Sequence, residues 1–171
     1  MVLRYLSFCL LIACASAYSE ERTYELTPGL TVVLDERRFE RNEWRIDRCG
    51  ASDHLCRING KVPFGVDGTE PVTYLHSLIL HYRNAEYSLD TSNMFNAWRD
   101  RPVEYPGTVK YLAGHCSSPR SCVLRGIFSD AAGSFVAEWQ VRDGLAERTI
   151  LTNSADVVSL FIRNIDPPRY E

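Results

Sequence analysis

The chain has 171 residues, 45% hydrophobic and 24% charged, which is the composition of one ordinary globular domain and excludes a disordered protein. Its formal net charge is −3, whereas a nucleic-acid-binding domain normally carries a basic excess. The arginines of residues 35–48 are interleaved with acidic residues, which indicates a solvated face of mixed charge.

The N-terminal segment has the organisation of an export signal. Arg4 gives a basic start, residues 5–13 are mostly apolar, and Ala15-Ser16-Ala17 matches an Ala-x-Ala cleavage site. The apolar stretch is shorter than the roughly 20 residues of a membrane span, and no later stretch approaches that length. We therefore expect residues 1–17 to be a cleaved signal peptide and residues 19–171 to form a single β-rich domain. A buried N-terminal strand is the alternative.

The same segment also resembles the lipobox of bacterial lipoproteins. In that motif, represented here by Leu11-Ile12-Ala13-Cys14, cleavage occurs before the cysteine, which becomes the lipidated first residue. Lipidation of Cys14 would tether the domain to a membrane, and this lipid anchor is the only membrane attachment that we expect. Plain cleavage would release the domain into the periplasm or the medium. The sequence leaves both alternatives open.

The mature region keeps four of the six cysteines, in two close pairs, which are Cys49 with Cys56 and Cys116 with Cys122. Three disulfide connectivities are possible, and local pairing costs the least chain entropy. A zinc site would need closer spacing, so we expect two disulfides within loops and no metal.

Turn signals divide the domain into short strands. Pro28-Gly29 separates residues 23–26 from a β-branched run at residues 31–34. Asn59-Gly60 has the residues of a type I′ turn and predicts a hairpin between residues 55–58 and residues 61–64. Pro63 confines the second arm of that hairpin to an edge or a bulge.

Two further hairpins follow along the chain. Residues 72–82 have β composition and precede a shorter strand at residues 87–89. His76 and His81 lie five positions apart in the first arm, so we expect them on opposite faces. Residues 135–141 alternate between apolar and polar side chains, and a turn at Asp143-Gly144 leads into residues 145–151.

The C-terminal segment changes to a helical period. Asn153-Ser154-Ala155-Asp156 resembles a helix start, and Val157, Leu160, Phe161 and Ile165 recur at helical spacing before Pro167. The predicted fold class is α+β and mostly β, an antiparallel β-sandwich or open barrel with one C-terminal amphipathic helix.

Catalytic and cofactor motifs do not occur in the sequence. It contains no Gly-x-Ser-x-Gly elbow, no phosphate-binding glycine loop and no histidine spacing that suggests a metal. The candidates for acid–base chemistry are Asp130, in a turn of small residues, Glu138 in the strand that follows, and His115 beside a cysteine pair. A structural role is the favoured explanation for all three, and no cofactor is implied.

Residues 93–107 form the stretch most typical of a protein interface. Trp, Tyr, Arg and Met are enriched at interface cores, and the prolines and glycine here prevent a long regular element. The alternative is that Phe95 and Trp98 only fill the core. The predicted partner-binding residues are Met94, Trp98, Arg99, Asp100, Arg101 and Tyr105.

This organisation resembles that of small exported immunity proteins, which protect bacteria from antibacterial toxins. The shared features are an export signal, a small disulfide-closed β domain, mild acidity and no recognisable active site. The resemblance implies a binding protein that occludes a partner protein, with no nucleic acid. The alternatives are an envelope hydrolase using Asp130, Glu138 or His115, and a structural or assembly lipoprotein of the envelope.

Overall fold

The computed structural model describes residues 19–51, 53–98, 111–129 and 133–168, which contain two four-stranded antiparallel sheets, one two-stranded sheet and a C-terminal helix. The first sheet has the order β1-β2-β5-β6, the second has the order β10-β9-β8-β7, and β3 pairs with β4. The elements are β1 (Ser19–Thr27), β2 (Leu30–Arg38), a short 3-10 helix (Arg41–Glu43), β3 (Ile46–Cys49), β4 (His54–Ile58), β5 (Thr73–Tyr82), β6 (Ala85–Ser88), β7 (Leu112–Ser118), β8 (Ser121–Phe128), β9 (Phe135–Arg142), β10 (Leu145–Thr152) and α1 (Ala155–Arg163).

The two larger sheets face each other across one hydrophobic core. Leu30, Val32 and Leu34 alternate along β2 and are at most 1% exposed, as the period of a half-buried strand requires. They share a cluster with Phe128 and Trp139 of the second sheet. The predicted fold class is confirmed as mostly β and antiparallel with a terminal helix, and the described strands do not close into a barrel.

Glycine and asparagine or aspartate at positive φ form the predicted turns. The turn at Asp143-Gly144 has φ values of 53° and 82°, and it joins β9 to β10 as expected. Asn59-Gly60 also turns, at 52° and 79°, but the hairpin predicted there is wrong. Between the two predicted arms, which lie within the described residues, the structure contains only one bridge, from Ile58 to Lys61. Strand β4 pairs with β3 rather than with residues 61–64.

Both predicted disulfides are confirmed, but they lie on strands rather than in loops. Cys116 and Cys122 occupy directly opposite positions of β7 and β8. Cys49 ends β3 and bonds to Cys56 of β4. Each bond therefore closes a β-hairpin. The hairpins were not predicted, because the sequences between the cysteines are short and polar and are typical of loops.

The C-terminal helix packs on the outer face of the second sheet. Val158, Phe161 and Ile165 are buried against Ile127 and Val136 of β8 and β9. The predicted helix is confirmed, but its buried face differs from the predicted one, because Val158 is buried and Leu160 is 54% exposed. Ile165 follows the end of the helix at Arg163. Among the described residues, no helix combines the length and the apolarity needed to cross a membrane.

An irregularity in β5 corrects the expected placement of its histidines. Asp35 pairs with Ser77 but Glu36 pairs with Leu75, so His76 is an inserted residue in the ladder. Leu75 and Leu78 both face the core although they are three positions apart. The insertion changes the alternation, and His76 and His81 consequently lie on the same outer face, contrary to the prediction.

Candidate functional site: a groove on the outer face of the first sheet

An aromatic cluster joins the small β3–β4 sheet to the outer face of β5. Trp44 stacks on Phe39 with ring centroids 5.3 Å apart, and it meets Tyr74 of β5 edge-on at 5.1 Å. Phe95 contacts both Phe39 and Trp44 edge-on at 5.9 and 5.5 Å. Aromatic pairs with these geometries contribute more free energy of stabilisation than their buried area alone provides, so the cluster stabilises the contact between β5 and the small sheet.

An open groove of about 310 Å³ lies against this cluster. One side is the turn after β4, the floor is the start of β5, and the other side is residues 91–95, called here the 91–95 segment. The segment is bound by backbone hydrogen bonds from Leu75 N–H to Met94 and from Phe64 N–H to Asn93. The groove is lined by Trp44, Ile58, Asn59, Lys61, Tyr74, Leu75, His76, Thr91, Ser92, Asn93, Met94 and Phe95.

The lining combines an aromatic floor with a polar rim. Lys61 and His76 are exposed, and the His76 ring stands edge-on to Tyr74 with centroids 6.0 Å apart. The indole N–H of Trp44 is buried and has no acceptor among the described residues. A buried donor costs about 1–3 kcal/mol unless an acceptor outside the described chain satisfies it.

Arg148 of β10 fixes the 91–95 segment and Asp90 before it. Its guanidinium donates to the carbonyl oxygen of Ser92 at 2.8 Å and to the Ser92 hydroxyl at 3.1 Å. The guanidinium also lies 2.8 Å from the carboxylate of Asp90. The backbone carbonyl oxygen of Asp90 accepts a hydrogen bond from Trp139 Nε1 at 2.9 Å. A side chain of the second sheet thus holds one wall of a groove on the first.

These contacts shift the pKa values of both charged partners. Burial opposes ionisation of Asp90, but hydrogen bonds from Ser92 and the charge of Arg148 outweigh it, so the pKa of Asp90 is lowered. Burial lowers the pKa of Arg148, against the attraction of Asp90. The lowered pKa of Asp90 means that its carboxylate is favoured opposite Arg148.

Two of the predicted contact residues lie in the core. Met94 is 1% exposed and Trp98 is 6% exposed. Trp98 stacks on Phe128 at 5.2 Å and donates from Nε1 to the Ile127 carbonyl at 3.1 Å. Their large apolar side chains fill the space between the sheets, so they are not the exposed contact residues that were predicted, although Met94 also borders the groove.

The buried carboxylate of Glu36 lies beside the same segment. Its Oε1 accepts from the Thr73 hydroxyl and from the backbone N–H of Trp98. Burial raises the pKa of Glu36, and these two hydrogen bonds oppose that rise. Glu36 therefore fixes the backbone just before residue 99. Sequence reasoning missed this role, because an acidic residue in a charged stretch gave no sign of facing the core.

The remaining predicted contact residues, Arg99, Asp100, Arg101 and Tyr105, lie outside the described residues, as do Asp130 and Cys14 together with the signal segment at residues 1–17. Phe95 lines the groove, and Trp98 ends the same described stretch three residues later.

Glu138 and His115 are placed on the outer face of the second sheet. Glu138 is 5% exposed and accepts from Arg125 at 2.7 Å, Gln140 at 2.7 Å and Thr149 at 2.9 Å. Burial opposes its ionisation, but these hydrogen bonds outweigh that effect and lower its pKa.

The two candidate catalytic groups do not meet. Strand β8 lies between the β7 strand of His115 and the β9 strand of Glu138, which separates their backbones by about 10 Å. Within the described ranges, no group of three or more His, Cys, Asp or Glu side chains is arranged to hold a metal ion. The groove was not predicted from sequence, since its lining comes from four separate stretches of chain.

Comparison with known proteins adds no identity to this geometry. No protein-family model, no curated protein and no solved structure matches the chain. Functional inference therefore depends on the chemistry of the groove and of its surroundings.

Proposed function

We propose that this protein is an exported binding protein that occludes a partner protein, of the immunity or inhibitor type, and that the groove is the centre of its contact face. The observation that carries the proposal is an open concavity with an aromatic floor of Trp44 and Tyr74, on a surface held rigid from both sheets. Aromatic residues at the centre of a patch supply much of the free energy of protein binding.

Arg99, Asp100, Arg101 and Tyr105, which the sequence predicts as partner-binding residues, remain part of this proposal. The residue before them, Trp98, is buried and donates a hydrogen bond to the Ile127 carbonyl, so the described chain is fixed up to that point.

The site of action in the proposal is the periplasm or the outer membrane. The two disulfides are compatible with an oxidising compartment. Replacing Cys14 with alanine distinguishes the two signal types. If Cys14 is lipidated, Cys14→Ala moves the protein from the membrane fraction to the soluble fraction, and identical fractionation of variant and parent contradicts lipidation.

The test of function is capture of the partner from the source organism, followed by reconstitution. The captured protein is purified, and its affinity for the parent is compared with its affinity for Arg99→Ala, Arg101→Ala and Tyr105→Ala. Truncation of an Arg or Tyr that is desolvated in an interface costs about 2 kcal/mol, or roughly thirtyfold in Kd. The activity of the partner should fall as the protein is added in equimolar amount. A partner whose activity is unchanged contradicts occlusion.

An enzyme is the second candidate class. The salt bridge and hydrogen bonds that lower the pKa of Glu138 make it a poor proton donor, so they disfavour an acid role for this residue. If the purified protein turns over an envelope substrate and Asp130→Asn abolishes this, the hydrolase replaces the binding protein. A captured set of envelope-assembly proteins with no inhibited activity favours the structural lipoprotein.

A further inference from the structure

The basic side chains that line the groove are Lys61 and His76, and the lining contains no aspartate or glutamate. The protein as a whole has a formal charge of −3, whereas the charged groups of the groove lining are basic. On the basis of the proposed function, we propose that the groove binds an acidic, extended segment of the partner. A carboxylate pairs with Lys61, and the adjoining apolar side chain packs on Trp44 and Tyr74.

The charge of Lys61 is available to a ligand. Its side chain is exposed and forms no salt bridge with another residue in the described part of the chain. Asp90 is near enough for Lys61 to help lower its pKa, but that carboxylate is already paired with Arg148 at 2.8 Å. An incoming carboxylate would therefore complete a charge pair without first breaking one.

The size of the groove favours a peptide segment over a folded element. A volume of about 310 Å³ is at the lower end of ligand pockets, about 300–1,000 Å³, and holds one or two side chains. The aromatic floor gives apolar contact area at low conformational cost. On the rim, the Oδ1 of Asn59 already accepts from Arg45 N–H, and the Nδ2 of the same side chain is the group that can donate to a bound main chain.

The experiment uses two fluorescein-labelled peptides of equal length, one alternating glutamate with leucine and the other alternating glutamine with leucine. Fluorescence anisotropy with the full mature protein should show that the glutamate peptide binds on the order of tenfold more tightly. Lys61→Glu should abolish this preference, because an attraction becomes a repulsion. Arg163→Glu is the matched control, since it makes the same change of charge at an exposed position of α1 on the outer face of the other sheet.

Equal affinity for the two peptides, or an unchanged preference in Lys61→Glu that is folded by circular dichroism, overturns the inference. Binding of N-acetylglucosamine oligomers in place of either peptide overturns it in favour of a carbohydrate site. If a purified partner binds but neither Lys61→Glu nor the glutamate peptide weakens the complex, this inference is wrong and the proposed function stands. If the glutamate peptide binds through Lys61 but does not compete with a captured partner, the groove is not where the partner binds. This inference and the placement of the contact face at the groove are then wrong, whereas occlusion is still decided by the activity of the partner.

Discussion

Arg148 connects the two sheets at the wall of the groove, and its loss should be measurable in stability. The side chain is 11% exposed and makes two hydrogen bonds to Ser92 and a salt bridge to Asp90. Each hydrogen bond contributes about 1 kcal/mol, and the pair with the half-exposed Asp90 contributes less than about 1 kcal/mol. Arg148→Ala should therefore lower the free energy of unfolding by about 2–3 kcal/mol. For a chain of this size that corresponds to a fall of roughly 5–10 °C in Tm.

Two comparison variants make the measurement specific. Arg148→Lys keeps the positive charge opposite Asp90 but lacks the planar guanidinium that donates two hydrogen bonds to Ser92. It should therefore recover less than half of the free energy of unfolding that Arg148→Ala loses. Arg142→Ala removes an exposed arginine of β9, the strand adjacent to β10, and should change stability by less than about 0.5 kcal/mol. Urea unfolding gives the free energies, and hydrogen exchange should speed up first in residues 90–95.

Two results would refute the reasoning. If Arg148→Ala unfolds within about 0.5 kcal/mol of the parent, the bonds seen here do not stabilise the fold. If Arg148→Lys is as stable as the parent, the positive charge at residue 148 accounts for the whole stabilisation and the guanidinium hydrogen bonds add nothing.

Two further predictions concern Glu36 and the disulfides. Burial raises the pKa of Glu36 above 4.5, so its contribution to stability is present at low pH and is lost as the pH rises through the raised pKa. Glu36→Gln should therefore gain stability relative to the parent between about pH 4 and about pH 7 in urea unfolding, and an equal difference at both values contradicts a raised pKa. Non-reducing peptide mapping should recover Cys49 with Cys56 and Cys116 with Cys122, and each paired replacement by alanine should cost about 2 kcal/mol, since each bond closes a short loop. A peptide that links Cys49 to Cys116 would contradict this pairing.

The sequence by itself determined the local elements of this protein. Alternation in residues 135–141, the turn at Asp143-Gly144 and the helical period after Ser154 each predict an element that the structure contains. The disulfide pairs also followed from sequence, because loop closure favours near neighbours and both pairs are only six or seven residues apart. These features depend on interactions between residues that are close along the chain.

Only the tertiary structure decided the candidate site. The insertion at His76 shifts the alternation of β5 because β2 sets its register, and nothing in residues 73–82 reveals it. Trp98 has the composition of a contact residue but lies in the core, since the space between two sheets must be filled by large apolar side chains. The groove brings together Trp44, Lys61 and Tyr74, which are far apart in sequence, because long-range packing rather than local preference sets their distances.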